Sequence, residues 1–163
     1  MIYIGLDLSL TASGMVAIRD GQTIAQKTFG YGLKRTSSPE RKLKRLLHIT
    51  SEVCTFIQEK LNLGEVSVVI EGYAYSARGS QNDLAELQGA VKTQIYLMFK
   101  LVPVSMPASQ ARKQVFGRGR LKKDEIIEEL NDMGHPFTDH NQADAFVVAR
   151  AHQLIKESVE DGS

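Results

Sequence analysis

The chain alternates between short apolar runs and longer stretches in which apolar residues recur every three or four positions. The short runs are rich in β-branched residues and predict strands. Asp20-Gly21, between two of these runs, is typical of a tight hairpin turn. The predicted strands are residues 2–8, 13–19, 22–30, 65–71 and 101–104.

The stretches with helical spacing also carry start signals at or near their first residues. Ser38-Pro39 predicts the beginning of a helix, and Asn82 or Asp83 and then Ser109 predict the N-caps of two others. The predicted helices are residues 40–62, 81–99, 109–116, 121–134 and 139–158.

The order of these elements, β-β-β-α-β-α-β-α-α-α, predicts an α/β fold. We expect a mixed five-stranded sheet with helices on both faces. A chain of 163 residues with 42% apolar residues is long enough to form one domain with its own core, so we predict a single domain over residues 1–163.

Composition excludes several classes of protein. No stretch is long and apolar enough to span a bilayer, and no signal sequence opens the chain, so we expect a cytoplasmic protein with no membrane partner. Cys54 is the only cysteine, which excludes a disulfide framework and a thiolate metal site.

The net charge of +1 conceals an uneven distribution of charge. Twelve of the 20 basic residues lie in two short stretches, residues 34–45 and 112–123, and the second contains no acid. A solvated helix face is the ordinary explanation for one such stretch. Two of them beside a group of acids favour a polyanionic partner such as DNA.

Three carboxylates stand in apolar surroundings that normally exclude them. Asp7 lies in the first strand, Glu71 ends the fourth, and Asp144 lies in a helix turn of small and apolar residues. A carboxylate in such a position is normally paired or liganded. Hard oxygen ligands that converge from distant parts of a chain are suited to Mg²⁺, and a pair of such ions can hydrolyse a phosphodiester.

Asn141 is the fourth predicted ligand because it lies three residues before Asp144, on the same helix face. Asp139 is the rival for this position. With Gln142 three residues later it forms a capping-box pattern, and we favour the cap. His140 is expected to face solvent, the alternative being that it orients water or phosphate.

Four segments in order resemble the RuvC-like Holliday junction resolvases of the RNase H-like superfamily, particularly the phage-encoded members. Residues 4–14 (Ile-Gly-Leu-Asp-Leu-Ser-Leu-Thr-Ala-Ser-Gly) are similar to the opening strand, and 68–73 (Val-Val-Ile-Glu-Gly-Tyr) to the second acidic strand. Residues 113–119, followed by Lys122-Lys123, resemble the segment that meets DNA phosphates. Residues 143–149 (Ala-Asp-Ala-Phe-Val-Val-Ala) look like the last acidic helix.

The resemblance implies an RNase H-like fold and a crossover junction endodeoxyribonuclease that nicks four-way or branched DNA, leaving 5′-phosphate and 3′-hydroxyl ends. It implies catalytic and metal-binding roles for Asp7, Glu71, Asp144 and Asn141, with two Mg²⁺ per site, for which Mn²⁺ can substitute. The family often has Asp or His where this chain has Asn141. The amide oxygen of Asn141 binds a metal more weakly than a carboxylate does, so the second metal position is expected to be weaker in this chain.

The DNA contacts predicted from the second basic stretch and its glycines are Lys113, Arg118, Arg120, Lys122 and Lys123. Tyr73 and Tyr75 follow the second acid, and we predict that one of them stacks on bases at a junction centre; half-buried core tyrosines are the alternative.

Cutting two strands of a junction calls for two identical sites, so a homodimer is expected. The resemblance places its interface on helix 81–99, with candidates Leu84, Leu87, Val91, Ile95 and Leu97; packing of the same residues in the subunit's own core is the alternative.

Three alternatives remain at this point. The first is a broader nuclease for branched or flap DNA in phage genome processing, and the second is a module that binds junctions without cutting them. The third is an actin-like ATPase or sugar kinase, which is disfavoured because those folds need two lobes and about twice this length.

Overall fold

The structure is a computed structural model that describes residues 1–31, 38–72, 81–160 and 162. The element order follows the one predicted from the apolar pattern. The strands are β1 Ile2–Asp7, β2 Ala12–Arg19, β3 Gln22–Gly30, β4 Val66–Gly72 and β5 Val104–Pro107. The helices are α1 Pro39–Leu61, α2 Gln81–Phe99, α3 Ala108–Phe116, α4 Lys123–Asp132 and α5 His140–Glu160.

All five strands form one sheet in the order β3-β2-β1-β4-β5. The first three strands are antiparallel neighbours, and β4 and β5 run parallel to β1, so the predicted mixed sheet is confirmed. The predicted hairpin turn is confirmed as well. Asp20 and Gly21 have φ of 52° and 75°, a conformation that Gly and Asp tolerate better than most residues.

Helices cover both faces of the sheet because alternate residues of β1 point to opposite sides. Ile2, Ile4 and Leu6 pack in a core with α1 and α2, whereas Tyr3 belongs to a second core with α3, α4 and α5. Asp7 shares the parity of Tyr3 and therefore lies on the face that α5 covers.

Two glycines let α5 pack unusually close to the sheet. A Cβ on Gly5 would stand 1.9 Å from the carbonyl oxygen of Ala145, and one on Gly14 would stand 2.1 Å from that of Asn141. Gly14 pairs with Asp7 across β1 and β2. The first two turns of α5 are thereby fixed directly beside the end of β1.

The predicted last strand was wrong in position. The chain leaves α2 at Lys100, whose φ of 59° turns it sharply, and residues 101–103 then cross to the sheet. The ladder begins only at Val104, which pairs with Val69. The apolar run at 101–104 predicts a strand, but residues 101–103 are the segment that connects α2 to the sheet.

Two predicted helix caps were also wrong. The second helix begins at Gln81, so Asn82 and Asp83 lie within its first turn. Ser109 lies inside α3, whose N-cap is Pro107, because β5 runs into this helix with no intervening loop. Ser38 does cap α1, since its hydroxyl accepts from the Arg41 backbone N–H.

No helix in the described parts of the chain has the length and hydropathy needed to cross a bilayer.

A first prediction concerns the close contact between α5 and the sheet. Gly5→Ala should lower the free energy of unfolding by about 2–3 kcal/mol, because its methyl group would overlap the Ala145 carbonyl. The matched control is Gly89→Ala in α2, where nothing lies within 4 Å. That change should raise stability by about 0.5–1 kcal/mol. Urea unfolding measures both, and equal midpoints for Gly5→Ala and the wild type would contradict the close contact.

Candidate metal and DNA site

Two of the predicted acids end neighbouring parallel strands. Leu6 pairs with Ile70, so Asp7 and Glu71 stand one residue beyond the last paired position of β1 and β4. Adjacent strands lie about 4.8 Å apart. Val69, two residues before Glu71, packs in the same core as Tyr3, so Asp7 and Glu71 both point to the α5 face.

Asp144 comes to the same place from α5. Asp144 is only 5% exposed and stands between Ala143 and Ala145, both of which are buried against the sheet. The contacts at Gly5 and Gly14 hold this part of the helix over the end of β1. The structure therefore brings together the three carboxylates that the sequence singled out.

Burial and the charges of neighbouring acids make the Asp7 and Glu71 carboxyls hard to ionise. Burial, followed by the charge of Asp144, raises the pKa of Asp7 to about 7. The pKa of Glu71 rises to about 8, through burial and then through the charges of Asp7 and Asp144. A cation placed beside Asp7 and Glu71 would offset both effects.

Asp144 already has cationic partners. Arg112 Nη2 donates to Asp144 Oδ1 at 3.3 Å, and Lys123 Nζ lies 3.9 Å from Asp144 Oδ2. Arg112 also reaches the Leu121 carbonyl oxygen at 3.5 Å. Both cations lower the pKa of Asp7 and of Glu71, although burial and the neighbouring acids outweigh them.

The sequence did not predict a role for Arg112 in this site. It predicted that Lys123 contacts a DNA phosphate, and not that it lies beside Asp144. Arg112 was visible only as one of six basic residues in a run. No signal in the sequence separated it from the other five, because its place beside Asp144 depends on how α3 packs against α5.

Gln88 is a second residue that the sequence did not single out. It is buried on α2, and its Nε2 donates to the main-chain carbonyl oxygen of Glu71 at 2.9 Å. This bond ties the end of β4 to α2 and fixes the backbone that carries the Glu71 carboxyl.

The donor atoms suit a divalent cation, but they are not arranged as a completed metal site. In the described ranges, no three His, Cys, Asp or Glu side chains form a group that could hold a metal ion. Both oxygens of Asp144 face Arg112 and Lys123. The chemistry fits Mg²⁺, since carboxylates that repel one another are hard oxygen ligands, and Arg112 and Lys123 compensate only part of their charge.

The first turn of α5 contains the remaining predicted ligands. Asp139 Oδ1 accepts from the backbone N–H groups of Asn141 at 2.8 Å and Gln142 at 3.1 Å, so the predicted cap is present. The Asn141 main chain touches Gly14, the partner of Asp7 in the sheet. His140 Nε2 lies 3.4 Å from Asp124 Oδ1, which directs its ring toward α4.

The second basic stretch is divided between paired and exposed cations. Lys113, Arg120 and Lys122 are exposed. Arg118 is bound in a short ion pair with Glu129, which reduces its availability to DNA.

The first basic stretch is largely compensated or buried where the structure describes it. Lys42 pairs with Asp83 and Lys44 with Glu40, while Arg45 is buried. Lys34 and Arg35 lie outside the described residues, and so do the predicted stacking residues Tyr73 and Tyr75. The stretch at 112–123 is therefore the better supported phosphate surface.

Comparison with known proteins finds a curated relative that matches this sequence over nearly its whole length. The chain is 26% identical over 166 residues to the crossover junction endodeoxyribonuclease RuvC of Caldicellulosiruptor saccharolyticus, covering 98% of this chain and 96% of the relative. No protein-family model matches the sequence.

Solved structures show the same fold. The structure of RuvC from Thermus thermophilus superposes with a TM-score of 0.77 at 16% identity, covering 98% of this chain and 97% of that one. The same protein in complex with a Holliday junction substrate gives a TM-score of 0.75 at 14% identity, with 97% and 96% covered. In sequence and in fold this chain is similar to RuvC, and the RNase H-like fold predicted from its motifs is confirmed.

Proposed function

We propose that this chain is a crossover junction endodeoxyribonuclease, a metal-dependent hydrolase that nicks Holliday junctions and related branched DNA. The observation that carries the proposal is the gathering of Asp7, Glu71 and Asp144 at the ends of β1 and β4 with Arg112 and Lys123 beside them. Phosphodiester hydrolysis by this route needs acidic side chains that bind the metal and basic side chains that contact the phosphate. The near-full-length relative, named as a crossover junction endodeoxyribonuclease, supports the same assignment.

Asp7, Glu71, Asp144 and Asn141 are the residues that we propose to hold two Mg²⁺ ions, with Mn²⁺ as a substitute. When bound, such a pair supplies an activated water and compensates charge on the departing 3′ oxygen, which gives 5′-phosphate and 3′-hydroxyl ends. The raised pKa values of Asp7 and Glu71 make cation affinity depend on pH, because ligands must lose their protons first.

Arg112 and Lys123 have two successive roles in this proposal. Without a metal they balance the Asp144 carboxylate, at 3.3 and 3.9 Å. If Asp144 held a cation, their N–H groups would be free to donate to the oxygens of the scissile phosphate, which carries the developing negative charge. A planar guanidinium suits a phosphate oxygen pair, so Arg112 is the stronger candidate.

The DNA backbone is proposed to lie along the second basic stretch. Lys113, Arg120 and Lys122 are exposed there, and Lys123 joins them to the carboxylates. Arg118 would contribute less while Glu129 binds it.

Tyr73 and Tyr75 remain predicted stacking residues. Since the proposed substrate is the DNA of a bacterium or of its phage, the proposed location of the protein is the bacterial cytoplasm.

A homodimer through α1 and α2 would supply the two sites that paired incisions require. Leu87, Val91 and Ile95 are fully buried within the subunit core, so the predicted interface was wrong for these three residues. The outer face of the same helices carries exposed apolar side chains instead. Leu43 and Leu47 on α1 and Leu97 and Met98 on α2 are more than half exposed. Leu47 and Met98 line a groove of about 480 Å³, whose other lining residues are mostly polar.

The dimer is tested by placing charges on this face. Leu47→Glu combined with Met98→Glu should give a monomer by light scattering, because two buried carboxylates at the interface would lack partners. Met133→Glu is the control, since Met133 is 47% exposed beside α4 on the opposite side of the sheet. A wild type that is itself monomeric, or a double variant that stays dimeric, would exclude this interface.

The nuclease proposal is tested with a labelled immobile four-way junction and Mg²⁺. Asp7→Asn, Glu71→Gln and Asp144→Asn should each lower the cleavage rate by about 10²–10³-fold, because each removes charge needed to hold the cation. Glu128→Gln, an exposed position on α4, is the control and should cut normally.

Forks, flaps and plain duplex, run in the same assay, separate a junction resolvase from a broader branched-DNA nuclease. If the wild type binds junctions but never cuts them, and Asp7→Asn binds equally well, the chain is a binding module.

Proton linkage gives an independent prediction. Asp7 and Glu71 have pKa values near 7 and 8 in the folded protein against 3.8 and 4.5 as reference values, so the folded state holds protons that the unfolded state releases. Stability should therefore fall as pH rises from about 4 to 8.

In EDTA, Asp7→Asn should be more stable than the wild type by about 1–2 kcal/mol at pH 8, and equal to it near pH 4. Asp132→Asn, an exposed carboxyl at the end of α4, serves as control and should show no such difference. Thermal unfolding at the two pH values measures it. A wild type as stable as Asp7→Asn at pH 8 would contradict the raised pKa of Asp7.

A further inference from the structure

Arg45 is a buried arginine to which the described part of the chain offers no partner. It lies on the inward face of α1 and is only 7% exposed. Its Nε atom is buried without a hydrogen-bond partner, and no ion pair among the described residues includes its guanidinium. A buried cation is normally paired, because it has given up its hydration. Arg45 therefore indicates a place that an anion completes.

The contacts of α1 place Arg45 at the same end of the sheet as the carboxylates. His48, three residues after Arg45, packs its ring against Phe29 of β3, with 6.3 Å between the ring centroids. Phe29 is one residue beyond the row at which β1 ends. Glu52, later in α1, pairs with Lys27, earlier in β3, so the N-terminus of the helix points past the end of that strand. Helix side chains lean toward the N-terminus, which carries the Arg45 guanidinium toward the strand ends.

The described lysines of the same basic stretch differ from Arg45 because each has an acid beside it. Lys42 Nζ lies 4.0 Å from Asp83 Oδ2, and Lys44 Nζ lies 2.7 Å from Glu40 Oε1. The N-terminus of α1, less than two turns from Arg45, adds the positive end of a long helix dipole. Arg45 is therefore the buried cation of this stretch whose charge the described protein leaves uncompensated.

We propose that Arg45 binds a backbone phosphate of the DNA on the α1 face of the sheet; the identity of this anion rests on the proposed nuclease function. A pair of phosphate oxygens matches the planar guanidinium and supplies the charge that Arg45 lacks. Arg112 and Lys123 stand at the same end of the sheet, on the α5 face. A strand that reaches from these two cations to Arg45 crosses the ends of β1 and β4. The carboxylates then meet a backbone that is held on both sides of them.

This assignment predicts opposite effects of Arg45 on the free protein and on its complex with DNA. Without DNA the buried charge opposes folding, because no described residue replaces the water that it has lost. With DNA the phosphate supplies that replacement, in a place largely withdrawn from solvent, where a charge-assisted hydrogen bond is strong. An arginine that only supported the fold would instead stabilise the free protein.

The test compares full-length wild type with Arg45→Met, which keeps an apolar stem and removes the charge. The melting temperature of the free variant should rise by about 2–4 °C. Its Kd for an immobile four-way junction in EDTA should rise about tenfold, with a salt dependence shallower by about one phosphate contact. Lys156→Met, an exposed cation near the far end of α5, is the matched control and should leave both quantities unchanged. A lower melting temperature for Arg45→Met, or an unchanged Kd, would overturn the inference.

Junctions with single methylphosphonate linkages, which lack the negative charge, locate the phosphate. One linkage should weaken binding by the wild type about tenfold and add little to Arg45→Met. A loss of the same size in both proteins would exclude the contact. Inorganic phosphate that stabilises the wild type but not Arg45→Met, with every linkage dispensable, would assign the site to a free anion and overturn the DNA contact. These measurements need no metal, so a wild type that shows the expected linkage but never cuts in Mg²⁺ would support the phosphate site and refute the nuclease function.

Discussion

The close approach of α5 to the sheet is the contact on which the candidate site depends. It is possible because Gly5 and Gly14 have no side chains where the carbonyl oxygens of Ala145 and Asn141 press against β1 and β2. Only at this separation does Asp144, in the second turn of α5, share a site with acids on two strand ends. Small residues at 5, 14, 143 and 145 therefore position the helix that brings Asp144 to the candidate site.

The cost of this arrangement is electrostatic. Packing brings Asp7, Glu71 and Asp144 out of water and toward one another, which raises the pKa of the first two. Arg112 and Lys123 compensate only part of that charge, through Asp144. A fold stabilised by its apolar cores thus carries a locally unfavourable cluster that a divalent cation would relieve, as is usual where a protein sets stability against function.

Much of the fold could be predicted from the sequence because local signals and tertiary packing agree. The Asp20-Gly21 turn, the Ser38 cap and the Asp139 cap each have a short-range cause. The last strand could not be placed, since an apolar run cannot by itself show that residues 101–103 cross from α2 to the sheet. The buried carboxylates were identifiable from their apolar neighbours. The pairing of Arg112 with Asp144 was not, because it depends on how α3 packs against α5, and the six basic residues of that stretch look alike in sequence.

A crystal structure with Mn²⁺, using its anomalous scattering, tests the central claim most directly. The account predicts Mn²⁺ density bounded by the side-chain oxygens of Asp7, Glu71 and Asp144, with the Arg112 guanidinium displaced from the carboxylate that it binds in the absence of metal. Saturating Mn²⁺ that leaves the Arg112–Asp144 pair intact, with no anomalous peak between these three acids, would contradict it.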